Sequence, residues 1–166
     1  MSSKILIIAL VIVSAFVIGL SYSLINKNPS SEVRVASYTA SDKEKPEAGV
    51  VSTSFNLGKM KVSDEKSADF IVKNSGNKPL QLSNITSSCM CTAGQVILNG
   101  QASEEFGMHS DSSYVAQINP GQSATVRVIY RPFQMPVYGS VEREVYVATN
   151  DPDNPKLVFS VKAYVQ

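Results

Sequence analysis

The pattern of hydrophobic and polar positions divides the chain into three regions, and the first is an apolar run. It follows Lys4 and extends from Ile5 to Ile25 without a charged residue or a proline. About 20 helical residues, each rising about 1.5 Å, cross the hydrocarbon core of a bilayer. A run of this length that is apolar on every face is untypical of a soluble amphipathic helix. It therefore predicts one N-terminal transmembrane helix.

Two interpretations of this run stay open. It is longer than the roughly 7–15 residues of a signal-peptide core, which favours an uncleaved signal anchor with residues 1–4 as a short cytoplasmic tip. Cleavage after Ser21-Tyr22-Ser23 would instead release a secreted protein. Lys4 favours an inside N-terminus, so the rest of the chain is expected on the extracytoplasmic side of the cytoplasmic membrane. Thiols tend to be oxidised there.

The second region, residues 26–49, is polar and has few side chains that could anchor a core. Asn, Pro, Ser, Lys and Glu dominate it, as in "NKNPSSEVRVASYTASDKEKPEAG". Such a composition predicts a flexible tether between the membrane and a folded domain. The short "EVRVASY" within it has the alternation that an edge strand could use.

The third region, residues 50–166, alternates apolar and polar positions in short segments. Between Ser123 and Tyr130, for example, the even-numbered positions form one apolar face. The segments are separated by turn sequences rich in Gly, Asn, Asp and Pro, such as "NSGNKP", "NPGQ" and "NDPDNP". This pattern predicts an all-β domain, an antiparallel β-sandwich of seven to eight strands.

Charge and motifs narrow the function. With 15 basic and 14 acidic residues the net charge is +1, and no basic patch predicts binding to nucleic acid. The sequence has no nucleophile elbow, no phosphate-binding glycine loop and no two-histidine metal motif. The adjacent carboxylates Asp64-Glu65 and Glu104-Glu105 are expected to be solvated in loops. We therefore predict that the protein is not an enzyme.

Five stretches in the third region carry a resemblance to a known family. They are "FNLG" from Phe55, "FIVKNSGNKPLQL" from Phe70, "SCMCT" from Ser88, "NPGQSATVRVIY" from Asn119 and "TNDPDNP" from Thr149.

In this order they resemble the bacterial extracytoplasmic immunoglobulin-like domain of unknown function with a Ser-Cys-Gly-Cys-Thr motif. That family is related in shape to major sperm protein, PapD-like and ASH/HYDIN domains. The resemblance implies an immunoglobulin-like sandwich from about residue 50 to the C-terminus, but it implies no activity. Two features depart from the family pattern. Met90 replaces the glycine between the cysteines, and a long insert, "AGQVILNGQASEEFGMHSDSSYVAQI", follows Thr92.

The cysteines of "SSCMCTAG" are the strongest candidates for chemistry. On a continuous strand, Cys89 and Cys91 would point to the same face and could hold one soft ion. A disulfide across one residue would require the chain to bend, and it would constrain almost no chain. The strand interpretation therefore makes a stabilising disulfide the least favoured state of this pair.

The insert offers further metal ligands. His109 supplies an imidazole, and Met108 a thioether, so Cys89, Cys91, His109 and Met108 form a candidate site for Cu(I) or, less favoured, zinc. The alternative is a metal-free structural or protein-interaction domain whose strand edges pair with a partner by β-augmentation. A third alternative is thiol-redox chemistry, although the chain has no Cys-x-x-Cys and no thioredoxin-like pattern. The sequence thus predicts a membrane-anchored binding module.

Overall fold

The computed structural model describes residues 12–14, 17 and 34–166. Contacts divide the chain into two units, Met1–Val33 and Arg34–Gln166. In the first unit the described residues are helical, and the predicted cytoplasmic tip and most of the predicted anchor lie outside the described residues. Within the part of the chain that is described, no helix has the length and hydropathy that crossing a membrane requires.

The second unit is a sandwich of two sheets. Ten strands occur in its described residues: β1 Ala48–Val50, β2 Ser54–Met60, β3 Lys66–Asn74, β4 Leu80–Ser87, β5 Thr92–Leu98, β6 Gln101–Ala102, β7 Val115–Ile118, β8 Ser123–Tyr130, β9 Gly139–Thr149 and β10 Lys156–Val165. One sheet has the order β1-β3-β8-β5-β6, and the other has the order β2-β10-β9-β4-β7. The predicted all-β sandwich is confirmed.

Alternating side chains from both sheets form the core. On β8 the buried face is the one that the sequence pattern predicts, since Ala124, Val126, Val128 and Tyr130 are all buried. Phe70 of β3 packs across the sandwich against Phe159 of β10, with 5.1 Å between the ring centroids. Buried apolar area of this kind is the main stabilising contribution in a small sandwich.

The strand count and direction correct two details of the prediction. The structure has ten strands rather than seven to eight, because β1, β6 and β7 contain only three, two and four residues. Runs this short show no clear alternation. The sandwich is also not wholly antiparallel, since β2 pairs with β10 in parallel, with a register shift at Lys162/Ala163.

Residues 34–47, which belong to the predicted tether, hydrogen-bond to one end of the sandwich. The described part of "EVRVASY" forms no strand; instead the Ala36 N–H donates to Gln81 Oε1 at 2.7 Å. Farther along, the Ala48 N–H donates to Asp151 Oδ2 at 2.8 Å. We call this the proximal end, defined by the buried side chains of Asn74, Gln81, Asn150 and Asp151.

The proximal end accounts for several of the family-like turn residues without a ligand. Asn74 Nδ2 donates to the carbonyls of Lys78 and Ile118, and Asn150 Oδ1 accepts from the Gln81 N–H. Gly121, in the predicted Pro-Gly turn, has a φ of +79°, which favours glycine. These residues therefore have a structural role.

Candidate functional site

The two cysteines lie in a tight turn rather than on a strand. β4 ends at Ser87, and the Thr92 N–H donates to the Cys89 carbonyl at 3.2 Å, so the chain reverses over Met90. Cys89 and Cys91 form a disulfide, with 5.2 Å between their Cα atoms. The expectation of side-by-side thiols on an extended strand is therefore wrong, because the turn supplies the bend that a disulfide needs. We call residues 88–92 the disulfide turn.

Hydrogen bonds hold the disulfide turn against β9. The Ser88 N–H donates to the Glu144 carbonyl, and the Glu144 N–H donates to Ser88 Oγ, each at 2.9 Å. This pair of bonds places Arg143, the residue before Glu144, next to the sulfurs. Arg143 Nε donates to Cys91 Sγ at 3.3 Å. Thr92 Oγ1 lies 3.3 Å from Cys89 Sγ and 3.8 Å from Cys91 Sγ.

The two cysteines differ in exposure. Cys91 is 1% exposed and belongs to the core, whereas Cys89 is only partly buried. Met90, at the tip of the turn, is 64% exposed. A reactant from solvent therefore meets Cys89 before Cys91.

Tyr130 lies beneath the same arginine. The Arg143 guanidinium is 5.8 Å from the centroid of the Tyr130 ring. Burial raises the pKa of Tyr130, and the nearby guanidinium opposes that rise. Among the described residues, the buried Tyr130 hydroxyl has no hydrogen-bond partner. A buried hydroxyl without a partner is unusual and leaves one donor available at this site.

The structure does not bring the predicted metal ligands together. Met108 and His109 are exposed on a separate turn, closed by a hydrogen bond from the Gly107 N–H to Ser110 Oγ at 2.6 Å. No described contact joins either residue to a cysteine, and no group of three or more His, Cys, Asp or Glu side chains that could hold a metal occurs in the described residues. Copper or zinc binding therefore has no support from the structure.

Phe106 explains why His109 does not lie next to the cysteines. It is buried and exchanges two backbone hydrogen bonds of 2.8 Å with Gly94 of β5. Its ring also packs against Tyr114, with 5.2 Å between centroids. Much of the insert forms β5, β6 and β7, and Phe106 holds the segment between β6 and β7 against β5, so the polar turn that carries His109 remains outside.

A cluster of exposed apolar side chains adjoins the disulfide turn. It occupies residues 132–138, between β8 and β9, and we call it the apolar loop. Four of its side chains are exposed by 42–70%: Phe133, Met135, Val137 and Tyr138. The loop begins beside the disulfide, since the Arg131 N–H donates to the Cys91 carbonyl at 2.8 Å. Sequence reasoning missed it, although "RPFQMPVYG" interrupts the strand alternation with apolar residues and two prolines.

Arg131 fixes the base of this loop. Its guanidinium pairs with Glu65 and with Glu105, each at 2.6 Å. The hydrogen bond from Arg131 lowers the pKa of the Glu105 carboxyl. The sequence predicts that the adjacent carboxylates Asp64-Glu65 and Glu104-Glu105 are solvated. In the structure, one member of each pair, Glu65 and Glu105, forms an ion pair with Arg131.

The sandwich topology and the polar proximal end define an immunoglobulin-like β domain. The model of the HYDIN/CFA65/VesB-like, Ig-like domain family matches residues 49–163, and the chain belongs to this family. This confirms the predicted immunoglobulin-like class. No curated protein matches the chain.

The chain is similar to several solved structures at low identity. A protein of unknown function from Porphyromonas gingivalis W83 is 21% identical, with a TM-score of 0.54, over 81% of this chain and 51% of that one. This chain thus spans about half the length of that structure. PapD-like domain 7 of human CEP192 is 12% identical, with a TM-score of 0.48, over 80% of this chain and 96% of that one. The VesB protease of Vibrio cholerae is 15% identical, with a TM-score of 0.48, over 70% of this chain and 31% of that one.

Proposed function

We propose that the protein is a membrane-anchored, extracytoplasmic immunoglobulin-like module that binds another protein through its apolar loop. The observation that carries this proposal is the exposure of Phe133, Met135, Val137 and Tyr138 within six consecutive positions. Clustered exposed apolar side chains are typical of interaction sites, and aromatic residues and methionine are enriched in protein interfaces. The proposed role is binding, in line with the absence of catalytic motifs from the sequence.

The position of the loop supports this role. β8 ends at Tyr130 and β9 begins at Gly139, so the loop joins two strand ends at one end of the sandwich. At the opposite, proximal end, Gln81 Nε2 donates to the Arg34 carbonyl and Gln81 Oε1 accepts from the Ala36 N–H. A tether attached at the proximal end leaves the loop free to meet a partner.

Pairing through the edge strands β1 and β2 is less favoured by the geometry. Lys66 Nζ donates to the carbonyls of Leu57 and Lys59 on the edge strand β2, each at 2.9 Å. At the other sheet, the N–H of Ala48 in the edge strand β1 is bonded to Asp151. These groups are the ones that an added strand would use, and charged lysines at edges oppose such pairing.

The localisation can be tested separately from the interaction. We propose that residues 5–25 anchor the chain and that the predicted tether, residues 26–49, links the anchor to the sandwich, with its last two residues, Ala48 and Gly49, in β1. Membrane fractionation and mass measurement of the N-terminus in the source cells should find the full-length chain in the membrane fraction. A mature chain that begins after Ser23 would show that the segment is a cleaved signal peptide.

The interaction is tested by charge substitution in the apolar loop. We expect the double variant Phe133→Asp, Tyr138→Asp to lose at least about tenfold in partner recovery, because a charge in a desolvated interface is costly. The measurement is in-cell crosslinking of the full-length chain, followed by quantification of each crosslinked partner. The matched control is Phe55→Asp, since Phe55 is 53% exposed on β2, away from the loop. If the loop variant retains its partners and the Phe55 variant loses them, binding occurs at the β2 edge and the proposal is wrong.

A further inference from the structure

The disulfide turn has features that neither stability nor the proposed binding role explains. The stabilisation from a disulfide grows with the length of chain that it closes, and this one encloses only Met90. It therefore adds little to the fold. The apolar loop binds through side chains that do not include the sulfurs. A disulfide that contributes little to stability and has one partly accessible sulfur is a candidate for thiol–disulfide exchange.

Arg143 gives the bond an asymmetric electrostatic environment. Its Nε lies 3.3 Å from Cys91 Sγ, the buried sulfur. Arg127 pairs with Asp69 and Arg131 with two glutamates, whereas Arg143 forms no ion pair within the described residues. Its positive charge is therefore available to the sulfur. A guanidinium next to a cysteine favours the thiolate over the thiol.

We propose that Cys89–Cys91 is a thiol–disulfide exchange site that accepts an electron pair from a cysteine pair in a polypeptide substrate. Cys89 is the sulfur attacked, and Cys91 is the sulfur that leaves. Arg143 is a positioning residue that stabilises Cys91 as a thiolate, and its guanidinium lies 5.8 Å from the centroid of the buried Tyr130 ring. This inference adds an activity to the binding role; the exchange step itself does not depend on that role, whereas the choice of substrate draws on the same apolar loop.

The exchange balances in two steps. A substrate thiol loses its proton to solvent, and the resulting thiolate attacks Cys89 Sγ; a substrate–Cys89 bond forms, the Cys89–Cys91 bond breaks, and its electron pair stays on Cys91. The second substrate thiol then loses its proton to solvent, and its thiolate attacks the substrate sulfur of the mixed disulfide. The bond between that sulfur and Cys89 breaks, and Cys89 and Cys91 each take up one proton from solvent. The substrate becomes a disulfide and the turn a dithiol. The reverse exchange with a second protein disulfide restores the turn.

The surroundings indicate which substrates suit this site. Met90 is exposed between the cysteines, and the apolar loop follows Arg131, whose N–H donates to the Cys91 carbonyl. Polypeptides with apolar residues beside their cysteines would contact this surface. Such segments are exposed in incompletely folded chains.

The role of Arg143 is tested on the full-length chain in detergent micelles, with glutathione as the probe. We expect Arg143→Gln to slow reduction of the disulfide by reduced glutathione about tenfold, because the leaving thiolate loses its stabilising cation. Arg143→Lys should keep most of the wild-type rate, and Arg127→Gln, a paired arginine on β8, should leave it unchanged. Thiolate absorbance against pH in the reduced protein should shift to higher pH only for Arg143→Gln. Equal rates for Arg143→Gln and wild type would overturn the proposal, as would a disulfide that glutathione does not reduce.

The order of the sulfurs is tested with single cysteine variants. Cys91→Ser leaves the partly exposed Cys89 thiol, and Cys89→Ser leaves the buried Cys91 thiol. We expect the first to form a mixed disulfide with oxidised glutathione at least about tenfold faster than the second. Equal rates would contradict the assignment of Cys89 as the attacked sulfur. The Arg143 series retains both cysteines and so tests the site even if a cysteine variant misfolds.

Discussion

The Asp151 carboxylate, at 1% exposure, accepts hydrogen bonds at the point where the incoming chain meets the sandwich. Its donors include the N–H groups of Ala48 and Asp153 and the Asn154 side chain, at 2.8–2.9 Å. Burial acts to raise the pKa of Asp151, but these hydrogen bonds outweigh it and hold the pKa below its ordinary value. The ionised form therefore stabilises the folded chain.

The variant Asp151→Asn tests this contribution. A lowered folded-state pKa means that the stabilisation is present above the pKa of the unfolded chain and is lost as the pH falls through the folded-state value. We expect the substitution to reduce the free energy of unfolding by about 1–3 kcal/mol at pH 7 and by clearly less near pH 2. Urea unfolding at both pH values measures it, with the exposed Asp111→Asn as the control. An equal loss at both pH values would show that the charge is not what matters.

Gly76 illustrates what a residue pattern can and cannot predict. The sequence assigns it to a turn, and it does lie between β3 and β4. The structure adds the stronger reason for a glycine, since a Cβ would lie 2.3 Å from the Lys45 carbonyl oxygen. That contact joins residues 31 positions apart, so the local turn signal could not reveal it.

At the scale of elements, the disulfide turn is expected to add little to stability. Loop-closure entropy for so short a ring amounts to about 1.6 kcal/mol, against about 4.7 kcal/mol for a loop of 100 residues. We therefore expect the reduced full-length chain to stay folded, with a free energy of unfolding lower by no more than about 2 kcal/mol. Urea unfolding with and without reductant measures the difference. The double variant Cys89→Ser, Cys91→Ser should not respond to reductant, and unfolding of the wild type on reduction would make the disulfide a structural staple.

The strands show how far alternation predicts elements. β3 and β8 were predictable, because one face of each is buried along its length. The parallel pairing of β2 with β10 was not, since alternation records which face is buried and carries no information on the direction of the neighbouring strand. The cysteine prediction failed for a related reason: the strand pattern was extended past Ser87, where the chain turns.

At the scale of the whole molecule, the separation of His109 from the cysteines gives a prediction about copper. We expect His109→Ala to leave Cu(I) binding by the reduced full-length chain unchanged, because His109 is exposed on a turn with no described contact to either sulfur. Competition with a Cu(I) chelator measures this, and the double variant Cys89→Ser, Cys91→Ser is the reference. A clear weakening in His109→Ala would restore the four-ligand hypothesis. Equal uptake by wild type and the double variant would exclude the cysteines as ligands.

The candidate site was predictable in part. The Cys-x-Cys motif correctly drew attention to the disulfide turn. Its partner Arg143 lies 52 positions away from Cys91, and their contact depends on how β4 and β9 pair. The spacing of residues along the sequence does not predict such a contact. The apolar loop does have a local signal in "RPFQMPVYG", but prolines and apolar residues between two strands also fit an ordinary connection, so the sequence alone does not predict its exposure.

The parallel pairing of β2 with β10 has a mechanical consequence. Residues preceding β2 and residues following β10 leave this ladder in opposite directions, because Ser54 pairs with Ser160 at one end and Met60 with Val165 at the other. A pulling force between them loads the hydrogen bonds of the ladder in shear, all at the same time, instead of opening them one after another. The geometry of this ladder therefore opposes tension applied between the start of β2 and the end of β10.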